Sequence, residues 1–288
     1  MIHEKMPDSK SSCSSGSCAS SKNNAVKTSE ELSKIALSRI KYKLVVMSGK
    51  GGVGKSSVAC NLAVCLAKKG FKTGLMDVDV HGPSVGKIMG MKGLLDASDD
   101  HMLIPMPFGD NLKVVSMQSL LPHEDQPIIW RGPAKGNMIQ QFIGSVKWED
   151  LDFLIIDAPP GTGDEPLTVI QTVEDAKAVI VTTPQDVALA DVRKSINFCK
   201  TVNMEILGLV ENMGPFPCPH CGEVVSPFSS GGGERTASEM GIMFLGSVPF
   251  DTQVVTSCDM GVPIADTHTN GPFMGAFDAI VEKALKNL

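Results

Sequence analysis

Residues 49–56 read GKGGVGKS, between an apolar run from Leu44 to Met47 and a helical pattern that begins near Lys55. Few strings of this length restrict a fold so tightly. A phosphate chain needs many N–H donors at close range, and only glycine lets the backbone turn and approach that closely. Gly49, Gly51, Gly52 and Gly54 supply that freedom, with Val53 inside the loop and Ser57 at its exit. The helix contributes its positive end. Lys55 is placed to neutralise the β- and γ-phosphates of a nucleotide, and the Ser56 hydroxyl to coordinate Mg2+.

The rest of the chain repeats the rhythm of that strand and helix. Apolar runs at Thr73 to Met76, Leu112 to Met117, Phe153 to Ile156, Ala178 to Thr182, Ile206 to Glu211 and Phe244 to Val248 are separated by segments of crossover length. This spacing predicts an α/β fold, a doubly wound and mainly parallel sheet of the P-loop NTPase kind. At 288 residues the chain suits one such domain, assigned to residues 28–288, behind a Ser-rich leader over 1–27 that is expected to be disordered. A lead-in helix is expected from Thr28, which with Glu31 forms a capping box, through Ile40 into Lys43. Near the end, Phe273, Phe277, Ile280, Val281, Ala284 and Leu285 fall on one helical face, expected to pack on the sheet. One interval breaks the pattern: residues 213–233 are dense in Pro, Gly and Ser and form a long insert.

Charge and composition exclude several classes of partner. A net charge of −6, with no Lys/Arg block, argues against nucleic acid. The N-terminus lacks the apolar core of a signal peptide, and no apolar run approaches membrane-spanning length, so no membrane is expected and the location is read as cytoplasmic. In that reducing setting the eight cysteines point to metal chemistry where they are paired and to core packing where they are isolated. Cys60, Cys65, Cys199 and Cys258 lie in helical patterns and are read as buried small hydrophobes. Cys218 and Cys221 form a CxxC inside the insert, a spacing that lets two thiolates hold one metal centre. A closed zinc or iron–sulfur site commonly takes four ligands, and the chain has no second CxxC. Cys13 and Cys18 in the leader are spaced differently. They are open to three readings: a transient site, extra ligands for the CxxC, or an idle leader.

Two carboxylate motifs complete the nucleotide reading. FLIIDAPPGTGD, residues 153–164, has the strand-then-Asp form of a Walker B motif, so Asp157 is expected to hold the Mg2+ shell through water and Gly161 to sense the γ-phosphate. LMDVD, residues 75–79, places Asp77 and Asp79 beyond a strand end, where open α/β sheets put ligand groups. No NKxD guanine-reading motif occurs, which favours ATP.

With its second lysine, Lys50, the loop resembles the deviant Walker A ATPases, the MinD, ParA and Mrp group. DVDVHGPS, WRGP, DAPPGTGD, ENM and CPHC, in this order over roughly residues 40–285, narrow the resemblance to the Mrp family of iron–sulfur cluster carrier ATPases. That resemblance implies a homodimer in which Lys50 touches the partner's phosphates, Asp79 orients the attacking water and Asp77 lies near the Mg2+ shell. It implies that Asn212 contacts adenine, although an Asn at a strand end serves equally as a turn former. It further implies that Cys218 and Cys221 of two chains hold a bridging 4Fe-4S cluster, taken from cluster donors and passed to apo-proteins. The alternatives are a MinD- or ParA-type positioning or partitioning ATPase and a zinc-stapled dimeric ATPase. The family's cytosolic eukaryotic members carry four leader cysteines, against two here, which puts a second stable cluster in doubt. Arg131 of WRGP is a weaker candidate for phosphate or partner contact, and His81 is assigned no role.

Overall fold

A computed structural model of the chain describes residues 29–120, 132–218, 220–267 and 270–288. The capping box at Thr28, the leader with Cys13 and Cys18, and Arg131 lie outside the described residues. In chain order the elements are α1 (Ser29–Leu37), β1 (Ile40–Ser48), α2 (Lys55–Lys68), β2 (Thr73–Asp77), α3 (Val85–Ile88), β3 (Met106–Phe108), β4 (Leu112–Ser116), α4 (Gly132–Gly144), β5 (Leu151–Asp157) and α5 (Asp164–Thr172). They continue with β6 (Lys177–Thr182), α6 (Asp186–Thr201), β7 (Glu205–Gly214), β8 (Phe216–Pro217), β9 (Val224–Val225), α7 (Gly232–Met240), β10 (Phe244–Pro249), α8 (Thr252–Asp259), α9 (Ile264–Thr267) and α10 (Pro272–Lys286).

Eight strands form one sheet in the order β10-β7-β6-β1-β5-β2-β4-β3, parallel throughout except for the β3–β4 pair. All seven apolar runs read as strands are strands. β1 carries the reason: Leu44, Val45, Val46 and Met47 are each at most 1% exposed, so both faces of the strand are covered. Each such side chain contributes about 2 kcal/mol of burial free energy. One cover holds α2 and α10, whose Val58, Leu62, Phe277 and Ile280 belong to the same apolar cluster. The other holds α4 and α6, through Ile139, Phe142, Val192 and Ile196. The apolar face of α10 is therefore spent on the sheet, as its spacing predicts. Among the described residues, no helix is long and apolar enough to cross a membrane.

The sequence reading needs correcting at the lead-in helix. Helix α1 stops at Leu37, and Ile40 opens β1 opposite Leu151 instead of closing a helix. Pairing along β5 from Ile40 onward outweighs the helical spacing of a single isoleucine. Two elements were not foreseen. One is β3, a three-residue antiparallel edge strand with Pro107 at its centre. The other is the β8–β9 hairpin inside the insert. At the opposite edge, β10 pairs with β7 through two register shifts and ends on Pro249.

The chain order reverses at β1, which has β5 and β2 on one side and β6 on the other. The crevice beyond the carboxyl ends of these strands is where such sheets bind ligands.

Candidate functional site

The phosphate loop leaves β1 at Ser48, whose hydroxyl donates to the Lys50 carbonyl at 2.9 Å. Two glycines are fixed by space, and the second also by dihedral angle. A Cβ on Gly49 would lie 2.4 Å from the Asp191 backbone of α6. Gly54, at φ +80°, forms the left-handed entry to α2, and a Cβ there would meet the Asn212 amide at 2.2 Å. Gly54→Ala is accordingly expected to weaken nucleotide binding at least tenfold and to lower stability by about 1–3 kcal/mol. Isothermal titration with ADP and thermal melts check both.

Beyond the loop, Lys55 is only 6% exposed. Its Nζ donates to Asp157 Oδ1 at 2.7 Å and lies 3.4 Å from Ser56 Oγ and 4.0 Å from Asp79 Oδ2. The register explains this convergence, because Asp157 at the end of β5 sits directly beside Asp77 at the end of β2. Both aspartates are fully buried. Burial and the neighbouring Asp157 charge push the Asp77 carboxyl up to about 8. Burial also raises Asp157, against the pull of Lys55.

Asp77 has its own work. Its oxygens accept from the Asp79 and Val85 amides and from the Ser116 hydroxyl, each at 3.1 Å, which ties down the β2–α3 turn. Asp79 Oδ1 in turn accepts from the amides of His81 and Gly82 at 3.2 Å, leaving Oδ2 directed toward Lys55. Two carboxylates, those of Asp157 and Asp79, thus face one ammonium, and Asp157 Oδ2 is buried without a hydrogen-bond partner. An orphaned carboxylate oxygen beside a serine hydroxyl, in an all-oxygen donor set, fits a small hard cation such as Mg2+.

Lys50, Gly51, Gly52, Gly54, Ser56, Ser57 and Asp79 line a cleft of about 310 Å3, and Lys50 is half-buried at its mouth. A second cleft of about 250 Å3 continues from Gly54 and Ser57 to Asn212, with Met213, Pro249, Phe250 and Val255 as mainly apolar walls. It suits the flat face of a base, with Asn212 as the polar group at one end. Asn212 also serves the loop, donating to the Val53 carbonyl at 3.0 Å. The Gly161 amide donates to the Ser48 carbonyl at 2.8 Å, so reading a γ-phosphate requires that bond to open.

Sequence reasoning missed several residues here. Pro249 closes β10 and Phe250 follows it, and no sequence signal marks either as a wall of this cleft. His81 has more to do than its assignment allowed: Nε2 lies 3.0 Å from Glu165 Oε1 and 2.6 Å from Lys135 Nζ, joining the turn after Asp79 to α5 and α4. Cys60, Cys65 and Cys199 are buried as expected, and burial pushes the Cys65 thiol up to about 12. Cys258 is instead half-buried against Ser57 at the base cleft, because α8 packs with one face open.

The insert, read as a loop over 213–233, is a short hairpin from the end of β7 to the start of α7. Its tip is a tight knuckle in which the Cys218 amide donates to the Glu223 carbonyl at 2.8 Å and the Gly222 amide to the Cys218 carbonyl at 2.9 Å. Amide donors from Cys221 and His220 hold the Cys218 thiol below its ordinary range, which favours the thiolate that binds metal. Cys218 is half-buried and Cys221 exposed. Among the described residues the knuckle brings two cysteines together, and no cluster of three or more metal-binding side chains forms.

Comparison with known proteins adds three findings. The family model described as ParA, NUBPL iron-transfer P-loop NTPase, matches residues 39–285. Proteins named iron-sulfur cluster carrier protein are similar in Saccharolobus solfataricus, at 48% identity over 87% of this chain and 85% of the relative, and in Methanococcus maripaludis, at 40% over 96% of both. Among solved structures, a nucleotide-binding protein of Archaeoglobus fulgidus in complex with ADP superposes with a TM-score of 0.73 at 40% identity, covering 83% of this chain and 93% of that one. The cell-division ATPase MinD of Pyrococcus furiosus, at TM-score 0.64 and 22% identity over 86% of this chain and 99% of that one, shares the fold.

Proposed function

The chain belongs to the ParA-type, NUBPL iron-transfer P-loop NTPases, and on that premise we propose that it is an ATP-hydrolysing carrier of iron–sulfur clusters. In this reading two copies hold one 4Fe-4S cluster between their Cys218–Cys221 knuckles, accept it from cluster donors and deliver it to apo-proteins. One observation carries the reading: a two-cysteine knuckle, with Cys218 wrapped by backbone amides, that follows directly on the strand lining the base cleft. Two thiolates per chain call for a second copy, because the irons of such a cluster each take a protein ligand.

The nucleotide roles follow from the geometry. The loop amides and Lys55 hold the phosphates, the apolar cleft ending at Asn212 takes adenine, and Lys50 at the mouth reaches the partner's phosphates. Ser56 and Asp157 would hold Mg2+, which would supply charge neutralisation for the phosphoryl oxygens. Asp77 acts behind Asp79, fixing the turn so that the Asp79 carboxylate orients the attacking water. Asp79→Ala is therefore expected to keep Mg-ATP affinity within about threefold and to slow turnover about 100-fold. Steady-state hydrolysis beside nucleotide titration checks it, and wild-type turnover would move the role elsewhere.

A positioning ATPase working at a membrane is less well supported, since α10 spends its apolar face on the sheet. The deciding experiment is anaerobic reconstitution followed by iron, sulfide and zinc analysis. About four irons and four sulfides per dimer are expected. Zinc with no sulfide would leave a zinc-stapled ATPase in place of a carrier.

A further inference from the structure

Glu211 is 1% exposed and belongs to none of the roles above. Its Oε2 accepts from the Gly233 amide at 2.7 Å, and its Oε1 accepts from the Ser247 hydroxyl at 2.9 Å. Gly233 lies in the first turn of α7, where the cysteine hairpin rejoins the fold, while Glu211 precedes the hairpin's departure at Gly214 by three residues. One carboxylate thus clasps both ends of the hairpin. The clasp is tight, because a Cβ on Gly233 would lie 2.9 Å from Glu211 Cβ. The Ser229 hydroxyl adds a second anchor on the Pro184 carbonyl.

The next residue on the strand is Asn212, which holds Val53 of the phosphate loop and abuts Gly54. Successive side chains of a strand point to opposite faces. Here one face of β7 meets the phosphate loop and the other meets the root of α7. A nucleotide that resets the loop presses on Asn212, and the same stretch of backbone carries Glu211.

We propose that Glu211 is a positioning residue that transmits the state of the nucleotide site to the Cys218–Cys221 knuckle. The inference rests on the carrier reading for its purpose, but not for its test. The apo, reduced, full-length chain is alkylated with iodoacetamide under anaerobic conditions in ADP and in a non-hydrolysable ATP analogue. Rates at Cys218 and Cys221 are resolved by peptide mass spectrometry, and affinity for the analogue is measured alongside. In the wild type the two nucleotides should give rates differing by about fivefold, the lower end of ordinary coupling between sites. Glu211→Ala should reduce that ratio to near one while analogue affinity stays within about threefold.

Cys60 and Cys199, buried in α2 and α6, report folding in the same spectra. Should they become reactive in Glu211→Ala, Ser247→Ala removes only one of the two contacts and should cut the ratio to about twofold. A folded Glu211→Ala chain, or a Ser247→Ala chain, that keeps the wild-type ratio overturns the proposal. So does a wild type whose two rates agree, even if it carries a full cluster, and the carrier reading then survives. Knuckle rates that respond to nucleotide in a chain that takes up only zinc support the coupling and defeat the carrier reading instead.

Discussion

Cys218→Ala and Cys221→Ala should each leave reconstituted protein with almost no iron, while nucleotide affinity and thermal stability stay at wild-type values. The loss is total because of ligand arithmetic. In the proposed dimer each chain contributes Cys218 and Cys221, so a single substitution removes two of four ligands. The fold is spared because the knuckle stands outside the sheet. Cys221 is exposed, and the short strands beside it have solvent-facing Val224 and Val225. Substitutions at such sites usually shift stability by no more than about 0.5 kcal/mol. Iron and sulfide analysis with native mass spectrometry checks the outcome. A full cluster on a monomer would refute bridging, and a full cluster on either variant dimer would move the ligands elsewhere, with Cys13 and Cys18 the first to test.

Lys55→Ala should cost nucleotide affinity on the order of 100-fold, since a charged donor to phosphate contributes about 3 kcal/mol. A second effect comes from inside the site. In the wild type the ammonium pairs with fully buried Asp157 at 2.7 Å, next to equally buried Asp77. Removing one partner of a buried pair strands the other, at a cost of roughly 3–5 kcal/mol unless the carboxylate takes up a proton. The variant should therefore melt at lower temperature even without nucleotide, and the deficit should shrink as pH is lowered and Asp157 protonates. Titration calorimetry and melts at two pH values separate the two effects. Unchanged affinity would remove the lysine from the phosphate site.

Much of this arrangement was legible in the residues. Apolar runs such as Leu44 to Met47 are unambiguous because a buried parallel strand needs no polar face, and GKGGVGKS leaves little choice about the turn that follows. The ends of elements were harder. Ile40 fits a helical stripe and a strand equally well, and only pairing with Leu151 decides. β3 was hidden because three residues around a proline carry no periodic signal. At the site, residue types told which groups meet phosphate, but not how they share hydrogen bonds. Asp77 and Asp79 look equivalent in LMDVD. The register with β5 buries the first among backbone donors and leaves the second facing Lys55. Glu211 and His81 were passed over for the same reason, since their partners Gly233, Ser247 and Glu165 are distant in sequence.

The two borders of the sheet govern how this molecule can meet another of its kind. On one side β3 offers three residues with a proline among them, and on the other β10 is broken by two register shifts and closed by Pro249. Unpaired amides and carbonyls on a long, straight border invite a neighbouring strand, and that route leads to fibrils as readily as to dimers. These borders are too short and irregular to template an added strand. Self-association by sheet extension is thus discouraged at both ends, while the phosphate cleft and the cysteine hairpin both lie beyond the carboxyl ends of the strands.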